Sequence, residues 1–198
     1  WSLRHNKGKN ACACGNPGTM TSDSAATSLA LLPFLGAGQT PETGKYKRQV
    51  KQGLDWLVSI QKSNGDLRYN SQSNSGMYAH GQGAIVLCEA YLLSGNKKLK
   101  KPAQTAINFI VTAQHPKGGW RYQPGQAGDT SVMGWQVMAL HSARAAGLHV
   151  PDYTVRDAKS YLDRADPKKR GLYGYQPGAG PTHPMTAEGL LCRMYLGW

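Results

Sequence analysis

The sequence predicts an all-α fold of helix pairs, in which buried inner helices and half-exposed outer helices alternate along the chain. Two observations predict it. One glycine-aromatic phrase occurs three times, as Gly65-Asp66-Leu67-Arg68-Tyr69, Gly118-Gly119-Trp120-Arg121-Tyr122 and Gly171-Leu172-Tyr173-Gly174-Tyr175. Its first glycines and its closing tyrosines both recur every 53 residues. A period this long marks stacked supersecondary units, each burying its apolar face only against a neighbour. The intervals between phrases carry two kinds of helical pattern and no β-alternation of useful length. The 198 residues read as a single domain with repeat units at roughly 20–70, 71–123, 124–176 and 177–198, and the pattern is expected to continue beyond both ends.

The elements follow in order. The first inner helix, Ser24 to Leu35, is apolar around most of its circumference, as expected of a helix covered on all sides. The first outer helix, Lys45 to Gln61, sets Val50, Leu54, Leu57 and Val58 on one stripe, with polar residues opposite. The second inner helix runs from Tyr78 to Leu93 and stops at Gly95. Its outer partner, Ala103 to Gln114, is striped by Ile107, Ile110 and Val111. A third inner helix, Thr130 to Ala146, ends at Gly147 and Pro151. The third outer helix, Val155 to Ala165, is striped by Val155, Ala158, Leu162 and Ala165, and a last inner helix spans Met185 to Leu196. That makes seven helices, four inner and three outer. Gly81, Gly83, Gly134 and Gly189 lie near the starts of three inner helices. Each costs about 1 kcal/mol against alanine, which close approach of neighbouring helices would offset.

The phrase reads as a wedge. Gln114 ends an outer helix, where its amide is expected to bond that helix's own orphan carbonyls. Gly118 and Gly119 permit the turn, and Trp120 lays a flat ring between helix pairs. Gln61 with Gly65 and Leu67 is a weaker copy. Gly65, Tyr69, Gln114, Gly118, Trp120, Tyr122, Gly171, Tyr173 and Tyr175 are therefore expected to be structural repeat positions.

The net charge is +12. Its basic runs, such as Lys97-Lys98-Leu99-Lys100-Lys101, fall on outer helices, where they read as solvated faces, and no nucleic-acid motif accompanies them. No run of 18 apolar residues exists, so no transmembrane helix is expected. Cys88 and Cys192 sit in apolar helices as small hydrophobes. Cys12 and Cys14, even with His5, leave a tetrahedral metal site a ligand short, so neither metal nor cofactor is expected.

Gln114 through Gly118-Gly119-Trp120 resembles the QW motif of the squalene-hopene and oxidosqualene cyclases. More broadly, the chain looks like the α/α-toroid superfamily of terpenoid cyclases, protein prenyltransferase β subunits and complement thioester domains. The phrases Met77 to Gly81, Leu87 to Tyr91, Ala113 to Pro116, Tyr122 to Gly125, Gly128 to Ser131 and Leu190 to Cys192 resemble bacterial prenyltransferase/squalene-oxidase repeat proteins abundant in planctomycetes. The resemblance covers about residues 20–198 and implies a partial α/α toroid with further helices beyond each end. It also implies an essential acid that this chain lacks. The cyclases carry DxDD at the start of an inner helix, and the matching stretch here is Met20-Thr21-Ser22-Asp23, with Ser22 where the proton donor should stand. The prenyltransferase Asp-x-Cys and the thioester Gly-Cys-Gly-Glu-Gln are missing as well.

The starts of the inner helices should share one rim, carrying Asp23, His80, Asp129 and Glu188. Asp23 and Asp129 each precede a helix and read as N-caps. His80, Asp129 and Glu188 are candidates for acid–base chemistry. For His80 the competing reading is a hydrogen-bonded core histidine. Glu89, deeper in its helix, is expected to pair with Arg144 or Arg193. Tyr78, Tyr91, Trp135 and Tyr195 form an aromatic group expected to face the same ring, with ordinary core packing as the competing reading, and Tyr78, His80, Tyr91 and Trp135 are the candidate ligand-binding residues. The expected partners are an apolar small molecule or a peptide, and, over the exposed end helices, the remaining helices of the same protein or a second copy. The residues favour a squalene-cyclase-like domain that binds or interacts. The alternative is a terpenoid cyclase or prenyltransferase-like enzyme acting on an isoprenoid or other apolar substrate.

Overall fold

The computed structural model describes residues 1–4, 6, 11–15 and 18–197. Among them are seven α-helices and no extended strand: α1 (Asp23–Gly36), α2 (Lys47–Ile60), α3 (Gly76–Ser94), α4 (Lys97–Ala113), α5 (Thr130–Ala145), α6 (Asp152–Ala165) and α7 (His183–Tyr195). Pairing between Gly174 and Pro181 is an isolated bridge. Helix α4 begins earlier than its apolar stripe predicts. Asn96 caps it by accepting from the Lys98 N–H, and Pro102 is accommodated in its interior.

Helix α3 packs between α1 and α5, and α5 packs on α7, so α1, α3, α5 and α7 form one row. Helices α2, α4 and α6 lie behind it on α1, α3 and α5. Each outer helix turns its apolar stripe inward, burying Val50, Leu54 and Leu57 in α2, Ile107 and Ile110 in α4, and Val155, Ala158 and Leu162 in α6. The inner helices are not equally covered. Along α3 the side chains from Met77 to Cys88 are buried apart from the half-buried Tyr78, and Leu92 and Leu93 are exposed at its end; α1 exposes Leu29, and α7 buries only Gly189 and Cys192 and exposes Met194. An inner helix is hydrophobic all round because it expects neighbours on every side, and α1 and α7 are the ends of this row.

The wedges are where the repeat places them. Leu67, Trp120 and Tyr173 are all fully buried, and the Trp120 indole donates to the Ile110 carbonyl at 2.7 Å. Gln114 does not cap its own helix. Its amide donates to the carbonyl of Thr154 in α6 at 3.0 Å, and Gln61 donates to Pro102 in α4 at the same distance. Gly118 then presses its Cα against the Asp157 carbonyl of α6, and Gly65 presses against the Thr105 carbonyl of α4. Glutamine and glycine together therefore grip two successive turns of the next outer helix. Their φ values of +93° and +72° add a second reason for glycine at 65 and 118. In the third copy Pro167 stands at the glutamine position, and Gly171 meets no backbone.

Tyr69 departs from its copies. It adopts φ +49°, is exposed, and meets Trp56 edge-on at 5.6 Å, while Tyr122 and Tyr175 turn inward.

Candidate functional site

Because the repeat is 53 residues long, equivalent positions of adjacent inner helices lie side by side. Tyr78 and Ser131 hydrogen-bond through their hydroxyls at 2.5 Å. The side chains of Trp135 and Gln136 fill the space a Cβ would occupy at Gly81, and the Glu188 carboxylate fills that space at Gly134. The inner-helix glycines thus serve close packing, as expected.

On α3, Tyr78, Gln82, Ile85 and Glu89 fall on one stripe. The repeat aligns Gln82 with Trp135 and Glu188, Ile85 with Leu32 and Met138, and Glu89 with Ser142 and Tyr195. The lower part of this surface is a cleft of about 520 Å³. Its floor is Leu32, Leu35, Ile85 and Met138, with Glu89, His141, Ser142 and Tyr195 at the polar positions. All four inner helices contribute to this cleft, although α1 and α7 stand at opposite ends of the row. The row therefore curves toward this side. The His141 and Tyr195 rings pack at 4.6 Å between centroids.

The charges of this face are unusual for the molecule. Of the eleven Asp and Glu side chains, nine have a hydrogen-bond or ion-pair partner. Glu89 and Glu188 have none among the described residues, and both lie on the inner face. Arg144 pairs with Asp152 and Arg193 with Asp163, so the expected partners of Glu89 are engaged elsewhere. Burial pushes the Glu188 carboxyl above its usual range. It also pushes the neighbouring Cys192 thiol up to about 12, with Glu188 adding to the effect.

The start of α5 is built differently. Asp129 is fully buried and caps the helix by accepting from the Val132 N–H at 2.8 Å and from the Ser131 hydroxyl at 3.0 Å. Its other oxygen accepts from the Tyr175 hydroxyl at 3.1 Å and lies 3.6 Å from the Arg121 guanidinium. Tyr175 in turn bonds Tyr122 at 2.5 Å, and Arg121 stacks over both rings. Burial, followed by the Tyr122 bond and the Asp129 charge, holds the Tyr175 phenol well above its ordinary range. The cluster ties the second and third phrases to α5, and every carboxylate oxygen in it has a partner.

Asp23 is not the cap of α1. Ser22 is, accepting from the Ala25 N–H at 3.1 Å, and Asp23 stands one residue into the helix, held by Ser2, Arg4 and Asn70.

His80 is fully buried, accepting from the Leu67 N–H at 3.1 Å through Nδ1 and placing Nε2 3.1 Å from the Ala106 carbonyl. Its position repeats along the chain. Thr186 accepts from the Tyr173 N–H in the same register, 13 residues apart, while Thr27, at the aligned position of α1, accepts from the Trp1 nitrogen. His80 and Thr186 thus anchor the backbone of the Leu67 and Tyr173 wedges, whereas Met133 holds the aligned position beside Trp120. Desolvation lowers the His80 pKa to about 4, only partly opposed by the Ala106 carbonyl, so the ring is neutral at pH 7.

The four rim residues are therefore not one group. Asp129 and Glu188 both act on Tyr78, whose phenol burial holds above its usual range. His80 faces away toward α4, and Asp23 lies at the α1 edge. Tyr78 and Trp135 are on the inner face, and Tyr195 lines the cleft. Tyr91, two residues beyond Glu89, points to the opposite side of α3. Sequence reading did not select His141 or Ser142. Projecting Glu89 forward by one repeat onto Ser142 would have found this end of the face. Among the described residues no three His, Cys, Asp or Glu side chains gather as a metal would require. Cys12 and Cys14 are exposed, and His5 lies outside the described residues. No described helix is long and apolar enough to cross a membrane.

No protein-family model matches the chain, and no solved structure does. Over 82 residues it is 32% identical to the lanosterol synthase of Candida albicans (strain SC5314 / ATCC MYA-2876), a stretch that covers 37% of this chain and 11% of that protein. The chain thus corresponds to a small part of a much longer relative, and the likeness supports a squalene-cyclase-like domain.

Proposed function

We propose that this squalene-cyclase-like α/α-toroid domain is a binding module that takes an apolar small molecule or peptide on its inner face. The cleft carries the reading. Three consecutive inner helices lend the aligned apolar positions Leu32, Ile85 and Met138 to one open surface and the fourth adds Tyr195, and apolar concavities with a few polar groups are where ligands bind. The state of Ser22 argues against acid-driven cyclisation. Its hydroxyl is committed to capping α1 and to a 2.6 Å bond with Ser71, at the position where the resemblance implies a proton-donating carboxyl. A second reading, an enzyme acting on an isoprenoid or other apolar substrate, draws support from Glu188, a half-buried carboxyl that burial makes harder to ionise. We further propose that the open side of α7 receives another outer helix, from the same protein or a second copy, against Gly171.

Incubation with squalene and with allylic diphosphates, followed by product analysis, separates the readings. The binding module yields no cyclised or transferred product, and solvent extraction of the purified protein releases a bound apolar molecule. A product that disappears in Glu188→Gln would establish the enzyme and remove the module.

A further inference from the structure

We propose that the ligand of the inner face is an apolar molecule bearing a protonated amine, and that Glu89 holds the amine. This rests on the reading of the inner face as a binding surface and adds the charge of what binds.

The chain has 23 Lys and Arg against 11 Asp and Glu, so a carboxylate has more than two cations available to it on average. Nine carboxylates have a polar partner, even Asp55 and Asp152 on exposed helix faces. Glu89 is half-buried, where an unpaired charge is more costly than at the surface, yet no described basic side chain reaches it. The two arginines expected to pair with it, Arg144 and Arg193, bond Asp152 and Asp163 instead. A half-buried carboxylate left alone in a cation-rich protein is complementary to a cation that arrives from outside.

The surroundings fix the rest of the ligand. Leu32, Leu35, Ile85 and Met138 offer an apolar bed about one helical turn from Glu89. Tyr195, packed against His141, presents an aromatic ring at the same end, and ring faces favour ammonium groups. Glu188 is the less suitable anchor. It is pressed into the groove at Gly134, two aligned rows away from Glu89. The long-range field of a protein with net charge +12 attracts anions. Any preference for a cation must therefore come from a local group.

The test is calorimetric titration of the intact chain with octylammonium, 1-octanol and octanoate, which share a chain length and differ in charge. Octylammonium is expected to bind about tenfold more tightly than octanol. Glu89→Gln, nearly isosteric and safe for folding, should abolish that preference and leave octanol binding in place. Glu188→Gln should retain it, and Met138→Trp, which fills the cleft, should weaken both ligands. If octanol binds as well as octylammonium, or Glu89→Gln keeps the preference, the amine proposal fails while the binding module stands. Preferential binding of octanoate also overturns it. If none of the three binds, the amine proposal and the inner-face reading fail together.

Discussion

Asp129 and the pair Glu89 and Glu188 lie at different heights on the inner helices, and their surroundings are built on opposite principles. At the start of α5, Asp129 is buried with four polar neighbours and serves as cap, phenol acceptor and counter-charge at once. On the inner face, Glu89 and Glu188 have none among the described residues. A saturated buried carboxylate is a structural tie, because removing it strands every partner it satisfied. An unsatisfied one contributes little to folding and is free to meet something else. Sequence reading placed Asp129 and Glu188 on the same rim; their partners separate them.

The comparison can be broken by mutation. The largest effect is expected at Asp129. Asp129→Ala removes a cap and strands Tyr175 and Arg121, costing about 3 kcal/mol in a urea melt; a loss under about 1 kcal/mol would mean the cluster is not a tie. His80 gives an effect of similar size that depends on pH. Its folded pKa of about 4 lies below the ordinary 6.5, so the unfolded chain takes up the proton first. Stability is fully present above about pH 6.5 and falls as pH drops toward 4, by about 3 kcal/mol in all. His80→Asn, which still accepts from the Leu67 N–H, should flatten that slope, and an unchanged slope would assign it to other groups. Gly134→Ala is expected to cost less than about 1 kcal/mol, since only the flexible end of Glu188 must move and alanine favours the helix. The smallest effects belong to Glu89→Gln and Glu188→Gln, within about 0.5 kcal/mol of the parent. A loss as large as that of Asp129→Ala would reveal a partner and erase the contrast.

Much of the architecture was legible because it repeats. A period of 53 with glycine and aromatic residues at fixed offsets leaves few alternatives to stacked helix pairs. The all-round apolarity of α3 and the striped α2, α4 and α6 identified their layers before any packing was known. The candidate site was less legible. Gln114 was expected to look to its own helix, but its amide crosses to α6, because the glycine four residues on brings that helix's carbonyls within reach. His80 stood out as a lone histidine, and only the matching bond at Thr186 revealed an anchor that either chemistry can fill.

The chain by itself therefore determined its helices, their layers and the places of its wedges, since periodicity and apolar patterning are properties read locally along the sequence. Only the tertiary structure decided which charges are spent. Pairing depends on where the side chains of Asp152 and Asp163 lie relative to Arg144 and Arg193, and spacing along the chain does not encode that distance. The two inner-face carboxylates without a partner among the described residues became visible when all the others had been matched.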